Sequence, residues 1–134
     1  MTRVAALPAA FAVSALMAAA ATPASAQQAS YCGGALRANA FYSNVFPAAA
    51  GAQVEYHALL QNVDPSRRTL VATMLEVQRV GNLAVIRPLR QLELGPYEQK
   101  DAVVLSVQTA NRAGAGAPTP MQVGQSVRFT CVFR

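Results

Sequence analysis

The chain predicts an all-β domain, a single antiparallel sandwich of about seven short strands closed by one disulfide between its ends. Beyond residue 50, apolar and polar residues alternate with a period of two in run after run. Turn formers such as Asp64-Pro65-Ser66 and Gly95-Pro96 separate the runs. The chain has only two cysteines, Cys32 and Cys131, and they stand near the two ends of the stretch beyond an apparent export signal.

Met1 to Ala26 has the parts of a cleaved secretory signal. Arg3 is the charged start, Val4 to Ala21 the apolar run, and Ala24-Ser25-Ala26 the small-residue cleavage site. The rival is an uncleaved anchor, since about 18 apolar residues just span a bilayer, but Pro8 and the alanine richness weigh against it. Cleavage leaves residues 27–134 as one domain with no transmembrane segment, enough chain for one core and too little for two. Arginine greatly outnumbers lysine, whose only example is Lys100, and alanine is abundant. That usage favours a bacterial periplasmic or secreted protein. Without Arg3, ten basic residues face six acidic ones, a net charge of about +4. The arginines are dispersed, so solubility is the simplest reading of that charge.

The strands are taken in chain order. Leu36 to Phe46 holds aromatic residues that suit a strand, and Ala48 to Ala52 reads as a turn. From Gln53 to Asn62, Val54, Tyr56, Ala58 and Leu60 alternate with Glu55, His57 and Gln61, the pattern of a half-buried strand whose polar face is broken only by Leu59. Asp64-Pro65-Ser66 then turns the chain, and Arg68 to Val80 reads as the return strand of a hairpin. A second pair is expected from Leu83 to Ile86 and Arg90 to Leu94, joined through Arg87-Pro88, with Leu92 and Leu94 inward. Lys100 to Thr109 should point Val103, Leu105 and Val107 inward. Ala110 to Gly124 mixes Gly, Ala and Pro and reads as a long loop. Ser126 to Phe133 closes the domain with Val127, Phe129, Cys131 and Phe133 on one face, Arg128 and Thr130 on the other.

Strands of this number and length resemble the immunoglobulin-like sandwich in general terms. The hallmark tryptophan of that family is missing, and the cysteines lie at the ends of the chain instead of in the middle strands. Cys131 on a core-facing side should point between the sheets, where Cys32 would pin the entering chain to the last strand. Tyr31 directly before Cys32 argues against lipid attachment there, and thiols in an oxidising compartment pair. A Cys32–Cys131 bond closes a loop of about 100 residues, worth roughly 4.7 kcal/mol at most by the chain-entropy model. Gly33-Gly34 lets the backbone turn away from that bond.

His57 is the only histidine, and Glu55 shares its strand face, placed to orient an imidazole. Spacing permits an Asp64/His57/Ser66 hydrolase arrangement, but no G-x-S-x-G elbow supports one. A blue-copper site needs two histidines. Met74, Met121 and His57 are the remaining candidates for a weak copper(I) site, although methionine is far more often core filler. No metal, cofactor or catalytic residue is therefore assigned. Basic residues do not interleave with aromatics, so nucleic acid is not an expected partner.

Contact with another protein is the better-supported role. The segment Arg68 to Val80 is apolar on both faces, and Leu59, Leu70 and Met74 would form an exposed patch if its own domain leaves one face open. The long loop, through Arg112, Pro118, Pro120 and Met121, is the second candidate contact. The sequence thus describes a non-enzymatic exported protein, an accessory or assembly component of the cell envelope with a protein partner. The alternatives are a binding module for an anionic glycan, lipid or small molecule through arginines such as Arg68, Arg79 and Arg128, and less so a His57-centred hydrolase or metal protein.

Overall fold

The computed structural model describes residues 28–134; the expected signal segment lies outside them. The described residues form β1 (Ala29–Tyr31), β2 (Leu36–Ala48), β3 (Gly51–Asn62), β4 (Leu70–Met74), β5 (Arg79–Val80), β6 (Leu83–Ala84), β7 (Gln91–Leu94), β8 (Gln99–Thr109), an α-helix α1 (Pro120–Ser126) and β9 (Phe129–Phe133). A four-stranded sheet in the order β1-β2-β3-β8 and a three-stranded sheet in the order β7-β4-β9 make the two layers, with every pairing antiparallel. The all-β sandwich expected from the period-two pattern is present.

β1 and β2 are joined by a tight turn through Cys32, Gly33 and Gly34, all with positive φ (55°, 65° and 97°). Two glycines in succession make that left-handed path accessible. β2 and β3 then form a long hairpin paired from Leu36↔Asn62 to Ala48↔Gly51. Along β3, Val54, Tyr56, Ala58 and Leu60 are buried, as the alternation requires.

The hairpin expected between β3 and its successor does not form. Both edges of β3 are taken, one by β2 and the other by β8, so the chain after Asn62 crosses to the second sheet, where β4 lies between β7 and β9. Asn62, fully buried, organises this crossover: its side-chain amide donates to the carbonyls of Arg68, Leu94 and Gly95, and its Oδ1 accepts from the Asp64 N–H. The expected long return strand also stops at Met74. Residues 75–78 form no strand, and β5 and β6 pair only with each other. Residues 85–89 instead lie along the free edge of β8, with Val85 bridged to Val107, and the Ile86 and Leu89 N–H groups donating to the carbonyls of Ser106 (2.9 Å) and Val104 (2.7 Å).

β8 departs from simple alternation as well. Its register against β3 slips between Tyr56↔Leu105 and His57↔Val103, leaving Val104 as an extra residue. Such a bulge flips the alternation on one side of it. Leu105 and Val107 are buried as expected, but Ala102 and Val104 replace Val103 in the core, and Val103 is 39% exposed.

The core lies between the sheets. Leu36, Tyr56, Leu60, Leu105 and Val107 from one layer meet Leu70, Met74, Leu94 and Phe129 from the other. Val123 of α1 and Val127 behind it complete the cluster. The expected loop 110–124 therefore contains a helix. Thr119 accepts from the Gln122 N–H while the Gln122 side chain accepts from the Thr119 N–H, and Pro120 occupies the first turn. This is a reciprocal cap. Tyr31 and Tyr56 donate to the carbonyls of Gly124 (2.7 Å) and Pro118 (2.5 Å), fastening helix and loop to the sheets; burial pushes both hydroxyls up to about 12.

The disulfide Cys32–Cys131 is formed, with Cα atoms 5.9 Å apart. It ties the turn after β1 to β9, and so joins the edge of one sheet to the edge of the other. Among the described residues no helix is long and apolar enough to cross a membrane.

Candidate functional site

Pairing places Tyr42 opposite His57 on β2 and β3, and Val103 opposite His57 on β8, all on the outer face of the four-stranded sheet. The rings of Tyr42 and His57 stack with centroids 4.8 Å apart and planes 15° from parallel. Asp101 closes the group. Its Oδ2 accepts from the Tyr42 hydroxyl, and its Oδ1 lies 3.3 Å from His57 Nδ1. On the other side of the imidazole, Glu55 Oε2 is 3.5 Å and Asn44 Nδ2 3.4 Å from Nε2. The His57 side chain is 15% exposed. Hydrogen bonding to Asp101 raises the Tyr42 hydroxyl above its ordinary range, because the carboxylate disfavours a tyrosinate beside it.

A ladder of amides continues the face. Asn39 Nδ2 donates to both Gln61 Oε1 (2.9 Å) and Gln99 Oε1 (2.6 Å), and Arg37 reaches Asn39 and Gln61. Leu59, half-buried, and the exposed Val103 and Phe46 (47%) supply apolar area between these polar groups.

The expectation that Glu55 orients His57 matches the geometry, and the structure adds Tyr42, Asn44 and Asp101, which sequence reasoning missed. The Asp64/His57/Ser66 arrangement is not assembled. Asp64 is held by Arg68, with Nε 2.9 Å from Oδ2, and the Arg68 guanidinium covers the Phe133 ring at 4.2 Å. Those bonds keep the Asp64 carboxyl below its ordinary range. Nor do Met74, Met121 and His57 meet: Met74 is in the core, Met121 is exposed on α1, and His57 lies on the outer sheet face. Glu55 and Asp101 approach opposite nitrogens of His57, and among the described residues no three His, Cys, Asp or Glu side chains are placed to hold a metal ion.

The expected patch of Leu59, Leu70 and Met74 is divided between two places. Leu70 (fully buried) and Met74 pack inside the sandwich with Ala72, because β4 is the central strand of its sheet and that side of it faces the core. Only Leu59 lies on an outer face. Of the loop candidates, Arg112 and Met121 are exposed, Pro120 starts α1, and Pro118 gives its carbonyl to Tyr56. Met121 lines a small groove of about 220 Å³ with Ala29, Phe41 and Gly124. Comparison with known protein families, curated proteins and solved structures finds no match to this chain.

Proposed function

We propose that this chain is a non-enzymatic module, exported to the bacterial cell envelope and working there by contact with another protein as an accessory or assembly component. The observation that carries the reading is the outer face of the four-stranded sheet. There a Tyr42–His57 stack is fixed by Asp101 and Glu55 and bordered by Leu59, Val103 and Phe46. Pre-ordered aromatic rings with apolar neighbours lose little entropy on contact and are the residue types that dominate protein interfaces. The group is poorly suited to nucleophilic chemistry, since the imidazole nitrogens face Asp101, Glu55 and Asn44, and the hydroxyl of the stacked Tyr42 is committed to Asp101. A disulfide spanning the domain is compatible with an oxidising compartment.

The anionic-ligand reading draws less support. Arg68 is engaged with Asp64 and Phe133, and Arg79 with the carbonyl of Asn82.

The test is capture of partners from the native envelope by the wild-type protein and by Tyr42→Ala and Val103→Lys variants, over a series of salt concentrations. A partner recovered by the wild type, lost at least tenfold by both variants and retained as salt rises is the expected result. Recovery unaffected by either variant removes the sheet face from the reading. Capture that collapses steeply with salt transfers it to ionic binding. A hydrolytic activity abolished by His57→Ala would replace the whole proposal.

A further inference from the structure

β2 pairs with β3 from one end of its thirteen residues to the other, but on its opposite side β1 reaches only Leu36, Arg37 and Ala38. From Ala40 onward this edge of the four-stranded sheet carries no strand among the described residues. An open edge is a row of free N–H and C=O groups, and single chains normally guard it with charged side chains or keep it very short. Proline and bulges also guard edges, but between its two ends the stretch from Ala40 to Phe46 has neither proline nor charge. No charged residue occurs between Arg37 and Glu55. The register irregularity at Asn39 begins the open stretch, and Pro47, which has no N–H to give, ends it. Within it residues 43–46 are exposed, Val45 at 45%.

We propose that this edge pairs with the same edge of a second copy, β2 against β2 and antiparallel, about a two-fold axis passing beside Ser43. A charge on a self-pairing edge meets its own copy nearby, so neutrality suits self-recognition, whereas a different partner is ordinarily selected by complementary charge. The register centred on Ser43 sets Phe41 opposite Val45, Tyr42 opposite Asn44 and Ala40 opposite Phe46. Each pair then lies on one face of the joined sheet, and the first is an aromatic–β-branched pair of the kind that stabilises antiparallel sheets. Because the interface is isologous, it closes with two copies and does not propagate into a fibre. Two four-stranded sheets become one, and the two Tyr42–His57 groups come to lie on a shared face. This pairing concerns the edge of the sheet and stands whether or not its face contacts another protein.

The experiment is sedimentation equilibrium, over a wide range of concentrations, of protein purified from cells expressing the full gene. The variants are Ser43→Lys and Ser43→Glu, with fold checked by circular dichroism and the disulfide by thiol titration. The wild type is expected to be dimeric and each variant alone monomeric, with dimerisation weakened at least tenfold by like charges facing each other at the axis. An equimolar mixture of the two variants restores a dimer. A wild type that is monomeric at every concentration overturns the proposal, and leaves the edge to residues preceding Gln28 or to a strand of a different protein. A dimer untouched by both variants also overturns it. Hydrogen exchange on the wild type gives a second reading independent of the variants: those amides of residues 40–46 that point away from β3 gain protection as concentration rises, and protection that does not change with concentration counts against the pairing.

Discussion

Asp101 meets His57 Nδ1 at 3.3 Å across 44 positions of sequence because β8 carries one residue more than β3 at that level. Without that bulge the alternation would continue unbroken from Leu105, and Asp101 would face the core. The extra residue turns it outward instead, beside His57 and Tyr42. Asp101→Asn should therefore lower the Tyr42 hydroxyl back toward its ordinary range, since the group that disfavours its ionised form is gone. Spectrophotometric titration checks this. One tyrosine should ionise at lower pH in the variant, while Tyr31 and Tyr56 stay at about 12.

Breaking the clasp should cost more than any single surface change. Replacing Cys32 and Cys131 together by serine frees the unfolded chain from a closure spanning 99 positions. A loss of roughly 2–5 kcal/mol is expected for a domain of this size, and should be read from urea unfolding with the wild type as reference.

Gly51 stands at φ 135°, and a Cβ built there would lie 1.8 Å from the Thr109 carbonyl oxygen. Backbone blocks that side chain, and the conformation is closed to L residues. Gly51→Ala should destabilise by at least roughly 2 kcal/mol, since it combines a strained φ with a clash that side-chain motion cannot relieve. A denaturation midpoint equal to that of the wild type would contradict the close approach of β3 and β8.

Acid should weaken the fold partly through Asp64. Arg68 holds this carboxyl below its ordinary range, so the folded state binds its proton less readily than the unfolded chain does. The stability it contributes is complete above the ordinary aspartate range and is lost as pH falls through that range to the lower folded value. Asp64→Asn should be less stable at neutral pH and show a shallower acid limb. Unfolding midpoints measured from neutral pH down to about pH 2 compare the two slopes.

The sandwich itself was legible because burial imposes a period of two, and the run from Val54 to Leu60 shows it with Leu59 as the single break on its polar face. The disulfide was legible from the even cysteine count and the expectation of export. What escaped was everything set by a partner strand. Nothing local says that the chain after Asn62 must change sheets, because the edges that exclude it belong to β2 and to β8, nearly forty residues further on. The inward assignment of Val103 failed for a similar reason: Val103-Val104-Leu105 is apolar throughout, so composition cannot say which residue is the extra one. Unbroken alternation from an inward Val103 also points Asp101 inward, away from His57. The helix is a different case. Thr119-Pro120-Met121-Gln122 carries a complete capping signature, obscured by the glycines and alanines before it.

The bond between Cys32 and Cys131 makes the polypeptide between them a ring. Proteins commonly begin to open by fraying from a terminus, but a ring of backbone offers no loose end inside its closure. Local opening of this domain has to start in mid-chain, in a stretch that belongs to no strand, such as residues 110–119 between β8 and α1, whose backbone bonds to one another are only those of local turns. A single cut there would leave the two pieces attached through sulfur. The protein would keep its mass under oxidising conditions and fall into two fragments only on reduction.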